Sequence, residues 1–352
     1  MKNAANDGAT VTREKPQAHR ATSLKQLAEH LGLNPATVSV VLNDVPGRSI
    51  PQATRDRIKA AAMAMNYRPN LLARSLRNRQ TLTIGILVPK LGVGYHTQVM
   101  SGIGDQLMQA GYFYFTAHHQ HKPNLIEDYT HMLIGRGVQG IIAIDTRLEH
   151  PLSIPVAAVA GHQNIEGVTN IRLDHRLAAE QALGHLHALG HRKIAFMRGQ
   201  PFSSDSDDRW KSLCAVAARL GIEIKPELVA HLDRDMISPE LGYPVVQQLM
   251  AAKTPFTALV AFNDISAIGA MRALNDFHLR VPEDVSVLGF DDIQAARCAT
   301  PHLTTINQPL EEMGRVATQS LLNRIHNAAP LHAEIKIEPK LVVRESTGPV
   351  KN

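Results

Sequence analysis

Cysteine is nearly missing from this sequence: Cys214 and Cys298 are the only two in 352 residues. A disulfide framework is excluded, and a reduced, cytoplasmic setting is expected. No apolar run is long enough to span a bilayer, so no membrane partner is expected. The first twenty residues, MKNAANDGATVTREKPQAHR, lack the apolar centre of a secretory signal and read as a disordered arm. There is no phosphate loop of the G-x-x-x-x-G-K type, and no nucleophile with a plausible base stands out. An enzyme is therefore not expected. His118, His119 and His121 cluster, but no second ligand set with structural-zinc spacing accompanies them, so no metal and no cofactor is expected.

What is present is uneven. The chain is 44% hydrophobic and 20% charged, a globular composition with length for more than one domain. Residues 1–80 hold 13 Lys or Arg against 5 Asp or Glu, while the remainder holds 24 against 27. A basic excess confined to one end suggests a polyanion partner for that end alone.

Within that end, Ser23 to Leu42 reads SLKQLAEHLGLNPATVSVVL. Leu24, Leu27, Ala28 and Leu31 follow the period of one helix face. Gly32 suits the left-handed stop, Asn34 can cap a second helix, and Pro35 fits its first turn. Val38, Val41 and Leu42 then face the first helix, and Thr37, Ser39 and Val40 face outward. Two helices about a tight glycine turn make a helix-turn-helix, whose second helix can enter a DNA major groove. A helical hairpin within a core is the alternative. Pro51 to Met65 reads as a third helix with Ala53, Ile58, Ala61, Ala62 and Met65 on its apolar face.

Tyr67 to Arg77, YRPNLLARSLR, follows. Pro69 breaks the preceding helix and Asn70 can cap a short new one. The segment is basic, exposes Leu72 and Leu76, and is too short to be stable alone. Either it orders on DNA, wedging a leucine into a minor-groove step, or it is a plain interdomain linker.

Thr37–Asn43 (TVSVVLN) with Thr54–Arg77 (TRDRIKAAAMAMNYRPNLLARSLR) resembles the DNA-binding head and hinge of the lactose-repressor/galactose-repressor family of bacterial transcription regulators. The resemblance runs from about Ser23 to Thr347. It implies a repressor that binds a palindromic double-stranded DNA operator as a homodimer. Thr37, Ser39 and Asn43 match positions that hold the phosphate backbone, and Pro35, Ala36 and Val40 match positions that read bases. Many members carry arginine where this chain has Val40. Valine can only pack, for example on a thymine methyl, whereas arginine reads guanine bidentately. A core place for Val40 is the alternative. Leu76 matches the leucine inserted at the operator centre, and Ala73 the small residue that lets two hinge helices approach.

From Thr81 the period changes. Short apolar runs such as Leu82–Val88 alternate with helical segments such as His96–Ala110, the signature of βαβ units and parallel sheets. The expected class is α/β: a helix-turn-helix headpiece plus a periplasmic-binding-protein-like core of two doubly wound subdomains. The bounds read as arm 1–21, helix-turn-helix 22–67, hinge 68–80 and core 81–347, with crossings near 173 and 306. Leu303–Ile325 resembles the family's return to the first subdomain, with a long helix at the dimer face. The last strands, near Glu334–Ile337 and Lys340–Val343, are expected to return to the second. Without leucine heptads near Asn352, a dimer is favoured over a tetramer.

Ligands in such sheets bind beyond the carboxyl ends of strands, here between the halves. Arg209, Asn263 and Asp291 match the family's ligand contacts and suit a polyhydroxyl effector. Asp264 is expected to cap its helix. Tyr95, His96, His118 and Asp145 lie at strand ends in the first half and can close over a ligand. Ala160 and Ile237 stand where the family often has a carboxylate and an aromatic, which puts a plain hexose in doubt. A sugar or sugar derivative is the expected effector; a sugar acid, a modified sugar or a nucleobase is the alternative, as is a cleft that works without ligand.

Overall fold

The computed structural model describes residues 22–44, 47–68, 80–92, 94–161, 164–232, 239–327 and 332–351. The arm at 1–21, most of the hinge with Asn70, Ala73 and Leu76, and Ile237 lie outside the described residues. The chain divides into two compact units, Met1–Gln80 and Thr81–Asn352.

The first unit is helical: α1 (Leu24–Leu31), α2 (Pro35–Leu42) and α3 (Gln52–Ala64). Ser23 opens α1 with a capping box, its hydroxyl accepting from the Gln26 N–H while Gln26 reaches back to the Ser23 backbone. Gly32 closes α1 at φ 63°, a conformation costly for residues with a Cβ. Leu27, Ala28, Val38, Val41, Ile58 and Ala62 make the core. Ala53, expected on the apolar face of α3, is exposed. Two α3 arginines reach backbone carbonyls, one on α1 and one on the loop before α3. Arg57 donates to the Leu31 carbonyl at 2.9 Å, and Arg55 donates to the carbonyls of Ile50 and Arg48.

The second unit holds two six-stranded sheets. Sheet one is β1 (Thr83–Val88), β2 (Phe113–His118), β3 (Gly140–Ile144), β4 (Val156–Val159), β5 (Val168–Leu173) and β11 (Glu334–Ile337), in the order β11-β5-β4-β3-β1-β2, parallel throughout. Sheet two is β6 (Ile194–Arg198), β7 (Val229–His231), β8 (Ala258–Val260), β9 (Ser286–Asp291), β10 (Thr304–Asn307) and β12 (Lys340–Val342), in the order β12-β10-β9-β8-β6-β7. Only β12 runs antiparallel to its neighbour. The expectation for the last strands is corrected here. β11 joins the first sheet beside β5 and only β12 joins the second, so the chain crosses a third time between them.

Both faces of each sheet are covered by helices, as parallel strands require. Ile84, Ile86 and Val88 point to one side with α4 (Tyr95–Gln109) and α11 (Leu310–Ile325). Leu87 and Ile141 point to the other with Leu133 of α5 (Pro123–Gly135). In sheet two, α6 (His175–Ala188) and α7 (Ser206–Arg219) cover Ile194 and Phe196. α8 (Tyr243–Ala251) and α9 (Asp264–Asp276) cover Ala195 and Met197. A short helix, α10 (Gln294–Cys298), follows β9. The long helix α11 buries Met313, Ala317 and Leu321 against α4 and the sheet and turns Glu311, Arg315 and Gln319 outward. Exposed apolar side chains lie instead on edge strand β2, where Phe113 and Phe115 are 63% and 40% exposed.

Candidate DNA-binding face and effector cleft

Helix α2 begins with Asn34, whose side chain accepts from the Ala36 N–H at 2.8 Å, and Pro35 occupies the first turn. Val38 and Val41 are fully buried. Pro35 and Ala36 are exposed, while Thr37, Ser39, Val40 and Asn43 are half-buried. Val40, half-buried, follows Ala36 and Thr37 by four and three residues, which puts the three on one side of α2. Asn43 donates to the Ser39 carbonyl at 2.7 Å and to its hydroxyl at 3.2 Å, which engages its amide at the helix end.

In the second unit the carboxyl ends of both sheets face one cleft of 120 Å³. Tyr95 and Asp145 come from the first subdomain, and Arg209, Asn263 and Asp291 from the second. His118 does not join them. It is exposed at the end of β2, and His121, three residues on, lines the cleft in its place.

Arg209 is the centre. Its guanidinium lies 3.6 Å from the Phe290 ring centroid and 4.5 Å from that of Phe262, and it donates to the Phe262 carbonyl. Asp205, one turn earlier on the chain, approaches it at 3.5 Å and also meets His175 Nε2 at 3.0 Å. The planar guanidinium is thus held by stacking and by charge, a fit lysine cannot reproduce. Asp291 ends β9 at φ 115°, a strained conformation for a residue with a Cβ. It accepts from Gln308 Nε2 at 2.5 Å. Burial raises its carboxyl to about 7, against the pull of Arg209 and Gln308. Asp145 behaves oppositely. Burial pushes it up, but His96 at 3.6 Å and the Ser204 hydroxyl at 2.7 Å outweigh that and hold it below its usual range. The Tyr95 hydroxyl is buried without a hydrogen-bond partner among the described residues, and burial with three nearby carboxylates holds it protonated.

Two further residues sort themselves. Asn263, not Asp264, caps α9, accepting from the Ser266 N–H at 2.9 Å. Asp264 is fully buried and accepts from Thr305 Oγ1 and the Ile293 N–H, bracing β10 and the loop after β9. Asp292, next to Asp291, is occupied by Arg344, Arg297 and Asn307. Ala160 is buried just after β4, at φ 57°. Sequence reasoning missed Asp205, one acidic residue within the run SSDSDD, and Phe202, which carried no signal. His185 and His191 make structural contacts: His185 meets Thr347, and His191 bridges Thr257 and the Gly348 carbonyl.

Residues 23–70 match the family model of bacterial regulatory proteins, lacI family, and residues 183–347 match that of a periplasmic binding protein-like domain. The HTH-type transcriptional repressor PurR of Photorhabdus laumondii is 30% identical over 333 residues, covering 92% of this chain and 96% of that protein. The chain belongs to the lacI family of bacterial regulatory proteins. The PurR repressor of Erwinia tasmaniensis is 29% identical over 341 residues, 94% of this chain and 98% of that one. A solved structure of the lac repressor dimer bound to operator and the anti-inducer ONPF matches with a TM-score of 0.85 at 26% identity, over 94% of this chain and 100% of that chain. As a lacI-family member the chain is a transcription regulator with a helix-turn-helix DNA-binding region and an effector-binding core. Its relatives are transcriptional repressors, not enzymes. No helix among the described residues is long and apolar enough to cross a membrane.

Proposed function

We propose that this regulator is a homodimeric cytoplasmic repressor without catalytic activity, holding a palindromic operator and switched by a small polyhydroxyl effector. One observation carries the reading: Asp145, Arg209, Asn263 and Asp291 converge from two subdomains on a single cleft. Two carboxylates, an amide and a stacked guanidinium alternate acceptors and donors as a ring of hydroxyls does. Closure around such a ligand changes the relation between subdomains, and the same free energy is returned as a change in operator affinity. Thr37, Ser39 and Asn43 hold phosphates, while Pro35, Ala36 and Val40 read base edges. The hinge carries Asn70, Ala73 and Leu76.

The test selects duplexes from a random library on the full-length protein, then screens sugars and sugar acids by thermal shift and by release of the selected duplex. A saturating ligand at 100 times its Kd stabilises by about 2.7 kcal/mol. A protein that prefers no palindrome, with or without these ligands, is not such a repressor. Leu76→Ala is expected to lose most operator affinity and keep effector binding. Equal operator affinity in that variant removes the hinge from the reading.

Dimerisation through edge strand β2 follows from its exposed phenylalanines, whose rings meet edge to face at 5.4 Å. Phe113→Glu is expected to yield monomers in sedimentation runs and to weaken operator binding at least tenfold. A dimer of unchanged stability places the interface elsewhere.

Asp291 gives the pH sense. Its carboxyl, at about 7, is ionised above neutrality and protonated below. Only the ionised form accepts two ligand hydroxyls. Affinity is therefore full above pH 7 and falls as pH drops through 7, by about tenfold between pH 8 and 6. The free protein's stability runs the other way. The folded state holds this proton more tightly than the unfolded chain, so the contribution is full below the unfolded value of 3.8 and is lost as pH rises to about 7. Effector affinity that stays flat in calorimetric titrations between pH 8 and 6 excludes Asp291 from the ligand contact.

A further inference from the structure

The cleft does not end the cavity system. A second chamber of 630 Å³ lies against the first subdomain, and His121 and Phe202 line both. Those two residues come one from each subdomain, and their rings lie 4.5 Å apart at 39°. Phe202 keeps 39% of its surface exposed, so this large aromatic is not consumed by either core. One wall of the chamber is the α5 face with Ile126, Glu127, Thr130 and His131. The opposite wall is the loop after β3, which presents Leu148, Glu149, His150 and Leu152.

We infer that the effector site continues past Phe202 into this chamber, and that the effector is an oligosaccharide of at least two units. The inference rests on the polyhydroxyl reading of the cleft and deepens it. At 120 Å³ the cleft falls well short of the roughly 300–1,000 Å³ of typical small-molecule sites, and the 230 Å³ pocket that shares Phe202 and Ser203 with it brings the two only to the lower end of that range, whereas the chamber alone lies well inside it. The chemistry of the walls agrees. Ile126 and Leu152, both half-buried, offer apolar patches to the C–H faces of a sugar ring. Glu127, His131 and His150 offer donors and acceptors to its hydroxyls. The His121–Phe202 pair at the junction is a platform on which a ring between the two spaces can stack. Acidic and basic side chains are mixed along the walls, so an uncharged, hydroxyl-rich unit fits better than an anion or a cation.

Calorimetric titration of the full-length protein with glucose, galactose and ribose, then with maltose, cellobiose, lactose, trehalose and maltotriose, tests this. At least one di- or trisaccharide is expected to bind tenfold or more tightly than its constituent monosaccharides. Ile126→Trp fills the chamber and is expected to erase that tenfold while leaving the monosaccharide affinity unchanged. His150→Trp, on an exposed loop, does the same if the first variant does not fold. Equal affinities for both ligand lengths, or a length preference that survives both substitutions, overturns the second chamber and leaves the cleft reading standing. Failure of every saccharide to bind overturns the cleft reading and this inference with it.

Discussion

Arg209→Met is expected to weaken effector binding by at least about 30-fold, roughly 2 kcal/mol, and to lower the melting temperature of the free protein. Two costs combine. The ligand loses a planar donor pre-set between Phe290 and Phe262. The protein loses the positive charge beside Asp205 and Asp291, both of which are buried. Breaking a buried pair costs about 3–5 kcal/mol when the remaining charge has no other recourse. Here it has one: Asp291 already titrates at about 7, so it takes up a proton near neutrality at small further cost. The lower figure of about 3 kcal/mol is the better expectation, corresponding to about 6–12 °C in a domain of this size. Arg209→Lys separates the two costs. It restores a charge near Asp205 without the planar stack, so it should recover much of the stability and little of the affinity. Unchanged effector affinity in Arg209→Met, measured by calorimetry, removes this residue from the ligand site.

The effector response of the operator follows from the same substitution. A ligand shifts an equilibrium only by its differential affinity for the two states. If Arg209 supplies most of that difference, the methionine variant should keep full operator affinity and stop responding to ligand. Loss of operator affinity in the absence of effector points instead to a defect in the core as a whole.

Alternating short apolar runs and helical segments made the two-sheet architecture legible, because each buried parallel strand needs apolar residues on both faces. The sheet that β11 joins is not legible in the sequence, for a physical reason. Glu-Ile-Lys-Ile is an edge strand with one apolar side, and nothing in such a stretch says which sheet it will border. The cleft residues on strand ends were readable from the resemblance. What held them was not. The choice between Asn263 and Asp264 as cap depends on a single residue of register. Asp205 sits in the acidic run SSDSDD, where local spacing alone does not single it out. Arg55 and Arg57 reach carbonyls of the preceding loop and of α1, contacts that the period of α3 does not reveal. His118 ends β2 but stays outside the cleft, because the chain turns before entering it, with Gln120 and His121 at φ 53° and 55°.

Gly102→Ala is expected to be strongly destabilising, by about 3 kcal/mol, or about 6–12 °C. Gly102 faces the backbone of α11 across the α4 crossing. A Cβ there would stand 1.9 Å from the Glu311 carbonyl oxygen, and one at Gly314 would stand 2.3 Å from the Val99 carbonyl oxygen. The obstacle in both cases is backbone, so no rotamer change relieves it, and the two helices must move apart by more than an ångström. Moving α11 disturbs more than one contact. It is the segment that re-enters the first subdomain after β10, and it carries Met313, Ala317 and Leu321 into the face of the sheet that Ile84 and Ile86 share. Two other glycines make the comparison sharp. At Gly104 a Cβ would meet the Tyr114 hydroxyl at 3.3 Å, the movable end of a side chain, so Gly104→Ala should cost little. At Gly184, inside α6, a Cβ would meet nothing within 4 Å. Gly184→Ala should stabilise by about 0.5–1 kcal/mol, because alanine restricts the unfolded chain and favours the helix. Thermal melts of the three variants should therefore fall on both sides of the parent. If Gly102→Ala melts with the parent, the close helix crossing is not what holds α11 in place.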